Sequence, residues 1–263
     1  MTSLYESLRD ALRRDEPIAL ATIVGGVPIG AKLLVRPDRA PEGSLGDPDL
    51  DRVVTRDALG ELEAGLTSTR HYGPHGEARE RDVEVFLESF APPPRMVIFG
   101  AVDFTGALAA AAKLLGFRVT VCDARAQFAT AKRFPMADEV VVDWPDRHLA
   151  TIASQLGPRD AICVLTHDLK FDVPAIVVAL STDVGYLGAM GSRRTHEARL
   201  ARLREAGVDD AGLARLMAPI GLDIGARTPE ETAVAVCAEI IAVRTGRSAA
   251  SLRSTAGPIH DPR

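Results

Sequence analysis

Arg95-Met96-Val97-Ile98-Phe99-Gly100 opens the stretch that decides the fold: an apolar strand candidate that ends on a glycine. An Ala- and Leu-rich run with helical spacing follows from about Thr105 to Leu115, and Gly116 ends it. Phe117-Arg118-Val119-Thr120-Val121-Cys122 then reads as the next strand and finishes at Asp123. Strand, helix and strand within about thirty residues is a β-α-β unit. Further strands are expected at Glu139 to Val142, Ala161 to Leu165 and Val184 to Leu187. Helices are expected at about Val173 to Leu180, Thr195 to Ala206 and Pro229 to Arg244. The alternation predicts a parallel, doubly wound sheet, so 95–245 reads as a Rossmann-like α/β domain.

Upstream, Leu4, Leu8, Ala11 and Leu12 recur at helical spacing, and Ile18 to Val24 is an apolar run that stops at Gly25-Gly26. A strand from Gly30 to Val35, a flexible loop at Gly43 to Pro48 and a helix from about Leu50 to Ala64 complete a small α/β unit. Val83, Val85 and Leu87 alternate as in a strand, and Ala91-Pro92-Pro93-Pro94 stiffens the chain, which sets the first domain at 1–91. After Gly246 the residues turn rich in Ser, Ala, Pro and Arg, and 246–263 reads as a loose tail.

The 263 residues are 46% apolar and 25% charged, as in an ordinary globular protein, and the net charge of −5 gives no basic face for nucleic acid. Cys122, Cys163 and Cys237 are widely separated and lie in apolar runs, which excludes an iron–sulfur cluster and a cysteine-rich zinc site. No apolar stretch reaches the roughly 18 residues of a membrane span and no secretory leader is visible, so a cytoplasmic location is expected.

Four segments can carry chemistry. Gly100 stands where a dinucleotide fold places its first glycine, and Asp123 where it places the ribose acid. Val102, however, occupies the position of the second glycine and would crowd a pyrophosphate, so NAD(P) binding is expected to be weak or lost; Asp123 paired with Arg125 is the alternative. Thr166-His167-Asp168 follows a buried strand at the carboxyl edge of the sheet. His167 and Asp168 suit a ligand crevice there, while Asp172 either joins them or caps a helix beginning at Val173. Gly188-Ala189-Met190-Gly191-Ser192-Arg193-Arg194 brings glycines, a hydroxyl and two guanidinium groups to a helix start, where phosphate binds. Last, Ala218-Pro219-Ile220-Gly221-Leu222-Asp223-Ile224-Gly225 leads into a helix specified by Thr228, Pro229 and Glu231. Its Asp223 either contacts a ligand or satisfies loop N–H groups.

Taken together, the last three segments resemble the XdhC/CoxI family. The resemblance implies a maturation factor that binds the molybdenum cofactor (molybdopterin) and hands it to a molybdenum hydroxylase of the xanthine dehydrogenase or carbon monoxide dehydrogenase type. It implies binding roles for Gly188, Gly191, Ser192, Arg193 and Arg194 at the phosphate, with His167 and Asp168 bordering the crevice. Hydroxylase subunits and a cysteine desulfurase are the implied partners, and two domains with exposed apolar helix faces are compatible with a homodimer. Where relatives carry a cysteine before the first-domain helix, this chain has Gly43-Ser44-Leu45-Gly46-Asp47-Pro48-Asp49. An NAD(P)-dependent oxidoreductase and a non-catalytic nucleotide-sensing module are the competing readings.

Overall fold

The computed structural model of the chain describes residues 3–256. Two compact units divide it, one ending at Pro92 and the other running from Pro93 to Ala256.

The first unit contains α1 (Leu4–Arg13), β1 (Ile18–Gly25), β2 (Lys32–Arg36), β3 (Arg39–Ser44), α2 (Pro48–Ala64), β4 (Ser68–Tyr72) and β5 (Val83–Phe90). Its strands form one antiparallel sheet in the order β3-β2-β1-β5-β4. Ala19, Ala21, Ile23, Val85 and Leu87 pack on one face against Leu50, Val54 and Ala58 of α2, while Ile18 and Leu34 pack on the other with Ala11 of α1. Strict alternation thus supplies both faces of the sheet. Gly43 and Ser44, expected in a loop, lie in β3, and His71 lies in the edge strand β4. Asp47 is the N-cap of α2: its Oδ1 accepts from the N–H groups of Asp49 and Leu50, both at 3.0 Å, and its Oδ2 lies 2.8 Å from His75 Nδ1. No group of three or more His, Cys, Asp or Glu among the described residues is arranged to hold a metal.

The second unit contains β6 (Arg95–Phe99), α3 (Asp103–Leu114), β7 (Arg118–Cys122), β8 (Glu139–Val141), α4 (Pro145–Ile152), β9 (Ala161–Val164) and α5 (Leu169–Leu180). It continues with β10 (Tyr186–Ala189), α6 (Arg193–Glu205), α7 (Asp210–Ala214), β11 (Leu216–Met217) and α8 (Pro229–Thr245). Its sheet is wholly parallel, in the order β11-β10-β9-β6-β7-β8. Met96, Ile98, Val119, Val121 and Cys163 face α3 and α8; Val97, Phe99, Ile162, Val164 and Leu187 face α4, α5 and α6. Burial on both faces accounts for the unbroken apolar runs Met96 to Phe99 and Ala161 to Val164. This is the Rossmann-like doubly wound sheet, and its strand order reverses between β6 and β9, where such folds open a crevice at the carboxyl ends.

Capping of α8 follows the sequence reading: Thr228 Oγ1 accepts from Glu231 N at 3.1 Å, and Glu231 Oε2 accepts from Thr228 N at 3.1 Å. Beyond it, Gly246 forms a left-handed cap and Leu252–Ser254 a single 3-10 turn; the rest of the expected tail, 257–263, lies outside the described residues. None of the described helices is long and apolar enough to cross a membrane.

Burial holds the imidazoles of His148 and His196 below their ordinary range, with the Arg199 charge adding to the effect on His196. The unfolded chain therefore takes up these protons first as pH falls through about 6.5, so stability drops on acidification below that value. His148 is nearly enclosed and its Nε2 has no hydrogen-bond partner. His148→Gln is accordingly expected to shrink the loss of melting temperature between pH 7.5 and 5.5. An unaltered slope would contradict this assignment.

Candidate functional site

The turn after β6 is closed by protein. Gly100 has φ +114°, and a Cβ there would stand 2.9 Å from Thr166 Cγ2 and 3.0 Å from Thr166 N, so the turn rests directly on the end of β9. Ala101 N donates to Asp123 Oδ2 at 2.8 Å, and Val102 N to Thr105 Oγ1 at 3.3 Å. Asp123 is 3% exposed and also accepts from Arg125 N, Nε and Nη2 at 2.9, 2.9 and 2.7 Å. Burial works against its charge, yet the Arg125 and Ala101 hydrogen bonds hold its carboxyl below the usual range. The Arg125 guanidinium in turn lies 4.7 Å over the Phe128 ring. Asp123 therefore serves its own turn, and a ribose would have to displace Arg125 to reach it.

Beyond β9, α5 begins at Leu169 rather than at Val173, and Pro174 lies inside it. Asp168 is its N-cap, accepting from Lys170 N at 3.1 Å with Lys170 Nζ at 3.3 Å. Asp172 is consequently not a cap. It is wholly buried in the first turn, where its carboxylate accepts from the Thr166 hydroxyl and, at 2.7 Å, from Arg199 Nη2. Desolvation pushes this carboxyl up, against the pull of Thr166 and Arg199. Arg199, equally buried, also donates to Met190 O at 2.8 Å. One chain of contacts thus ties the loop after β9 to the end of β10. His167 is exposed above it.

The turn after β10 runs through Gly191 to Ser192, the N-cap of α6, whose hydroxyl accepts from Thr195 N at 3.1 Å. Gly188 is not part of this turn. It sits inside β10, and a Cβ there would fall 2.6 Å from Ile220 Cδ1 and Cγ1 and 2.8 Å from Tyr186 Cε1. Its lack of a side chain admits Ile220, so the expected phosphate role is replaced by a packing one. Gly188→Ala is expected to cost about 1–3 kcal/mol by overpacking, measured by chemical denaturation, and Ile220→Ala in the same chain should recover part of that loss.

The loop after β11 is pinned by α8. Glu239 Oε2 accepts from Gly221 N at 2.9 Å and from the Tyr186 hydroxyl, and Ile220 N donates to Ala189 O at 3.0 Å. Between this loop and the start of α6 lies a crevice of about 630 Å³, lined by Arg193, His196, Glu197, Pro219, Gly221 and Asp223. Its size is that of a small-molecule site. The side chains of Arg193, Glu197 and Asp223 make no hydrogen bond or ion pair with the described residues, and His196 Nδ1 is buried without a partner among them.

Two family models match the chain, the XdhC Rossmann domain over residues 96–240 and the XdhC and CoxI family over 11–73. The chain belongs to the XdhC/CoxI family. Among its relatives, the uncharacterized protein YqeB of Escherichia coli K12 is 32% identical over 239 residues, 87% of this chain and 44% of that protein. A Bacillus subtilis 168 protein named as a probable subunit of xanthine dehydrogenase is 31% identical over 68% of this chain and 56% of its own length. The molybdenum cofactor insertion chaperone PaoD of Escherichia coli K12 is 36% identical over 95 residues, 36% of this chain and 30% of PaoD. The chain thus spans about half or less of the length of these relatives. A solved structure described as a xanthine dehydrogenase from Bacillus halodurans shares the fold, with a TM-score of 0.55 and 22% identity over 94% of this chain and 98% of that one.

In this family member the crevice joins Arg193 and Asp223, which lie 30 residues apart in sequence, with Gly191 and Ser192 shaping the turn beside Arg193. Arg194 is exposed and does not line it. Asp123 and Gly100 belong to strands on the other side of the sheet's reversal point, and the Asp168 carboxylate is taken by its helix cap. His196 and Glu197 join the crevice without having been expected there. The signal was present, since both follow Arg193 within about one helical turn and so stay near it.

Proposed function

We propose that this chain is a maturation factor for a molybdenum hydroxylase, and that the crevice between α6 and the Pro219–Asp223 loop receives the molybdenum cofactor as cargo. Family membership supports the process, as do the names of two relatives, one a cofactor insertion chaperone and the other a probable part of xanthine dehydrogenase. The observation that carries the site is the crevice itself, where Arg193, whose side chain has no partner among the described residues, stands at the N-terminus of α6. A guanidinium and a helix N-terminus together favour a phosphate such as that of molybdopterin. In this reading the two compact units are the two expected domains, the second holds the cargo, and delivery takes place in the cytoplasm through contact with hydroxylase subunits.

The oxidoreductase reading has less support, because Ala101 N and Asp123, the groups it needs for pyrophosphate and ribose, hydrogen-bond to each other. The test is co-expression of a molybdenum hydroxylase from the same source with the full chain, without it, and with Arg193→Ala. Molybdenum per hydroxylase should be high only with the unaltered chain. Equal loading in all three rejects the proposal.

A further inference from the structure

A phosphate explains Arg193 but not the rest of the crevice. Two carboxylates, Glu197 from α6 and Asp223 from the facing loop, line the same space, and neither makes a hydrogen bond or ion pair with the described residues. Such groups repel a bare anion, so a ligand that fits must bring hydrogen-bond donors as well as a negative charge. An ionised carboxylate accepts only, through two oxygens, and is best satisfied by two parallel donors on one edge. On a flat ring, that edge is a ring N–H beside an exocyclic amine. Pro219 and Gly221 add a wall without charge. His196 brings a ring whose protonation is disfavoured by burial and by Arg199, with Glu197 pulling the other way.

We infer that the crevice selects its ligand by the 2-amino-4-oxopyrimidine edge shared by pterins and guanines: Asp223 accepts from the ring N–H and the exocyclic amine, and Arg193 pairs with the phosphate. This rests on the assignment of the crevice as the cargo site and adds to it the chemical feature that is read. Adenine lacks the paired donors, and hypoxanthine lacks the amine.

The full-length protein is titrated calorimetrically with GMP, IMP, AMP and molybdopterin, using the unaltered chain, Asp223→Asn and Arg193→Ala. A hydrogen bond to a charged group contributes about 1.5–3 kcal/mol, so GMP should bind roughly 10- to 100-fold more tightly than IMP or AMP. Asp223→Asn should erase that preference and weaken molybdopterin by a similar factor, whereas Arg193→Ala should weaken GMP and IMP alike. Asp223 is exposed on its loop, so its replacement leaves folding intact, as circular dichroism would verify. The tighter of GMP and molybdopterin names the source of the edge. Equal binding of GMP and IMP, no binding of GMP, or a GMP preference that survives Asp223→Asn overturns the inference. If molybdopterin binds through Arg193 while Asp223→Asn has no effect, edge reading fails and the carrier role stands; if neither molybdopterin nor GMP binds, both fail.

Discussion

Asp172→Ala is expected to destabilise the second unit by about 3–5 kcal/mol, because it strands a charge with no route to water. Arg199 and Asp172 both have 0% side-chain exposure, and Arg199 Nε and Nη1 already lack partners among the described residues. Removal of the carboxylate leaves Met190 O as the only acceptor for that guanidinium among the described residues. The Thr166 hydroxyl loses its acceptor in the same step, and with it the tie between the turns after β9 and β10. Urea denaturation of the purified chain measures the loss. The double replacement Asp172→Leu with Arg199→Met should recover most of it, since an apolar pair of similar volume often matches or exceeds a buried ion pair. A single-variant loss below about 1 kcal/mol would mean that the pair is not closed in solution.

Arg193→Ala has the opposite signature. The side chain is exposed and unpaired, so stability should stay within about 0.5 kcal/mol of the parent. Affinity for molybdopterin should fall by roughly 10- to 100-fold, the factor that follows from losing about 1.5–3 kcal/mol of charge-assisted hydrogen bonding. Because the contact is ionic and open to solvent, the deficit should narrow as salt is raised. Calorimetry at two salt concentrations measures both. An unchanged affinity at low salt would remove Arg193 from the site.

Local signals carried most of the second unit into the sequence. Runs such as Met96 to Phe99 and Ala161 to Leu165 are apolar throughout because both faces of those strands are buried, and Thr228, Pro229 and Glu231 marked the start of α8 correctly. Elements whose reasons are not local were lost. Ser68-Thr69-Arg70-His71-Tyr72 is an edge strand with a mostly polar face, so it shows no apolar alternation. α4, entered from Trp144 through Pro145, was hidden by the polar residues that interrupt its apolar spacing. The start of α5 was misplaced because Asp172 followed by Pro174 mimics a cap and a first-turn proline. The partner that explains Asp172, Arg199, lies 27 residues further on.

The site divided in the same way. Arg193 and Asp223 stand on glycine-rich turns at strand ends, which advertise a rim in the sequence, and the fold brings them to one crevice. Gly188 was misread because a glycine that admits a neighbouring side chain looks, in sequence, like one that admits a phosphate; only Ile220, 32 residues later, tells them apart. Asp123 was placed correctly at the end of β7, but its engagement by Arg125 and Ala101 depends on the fold of the turn.

Amide hydrogen exchange of the full chain with and without molybdopterin tests the central claim most directly, since it locates the bound cofactor without altering a residue. Protection is predicted in peptides covering Met190 to His196 and Ile220 to Asp223, with none gained from Ala101 to Thr105. Protection confined to Ala101–Thr105 and Asp123–Arg125 would put the ligand on the turn after β6 and contradict the account.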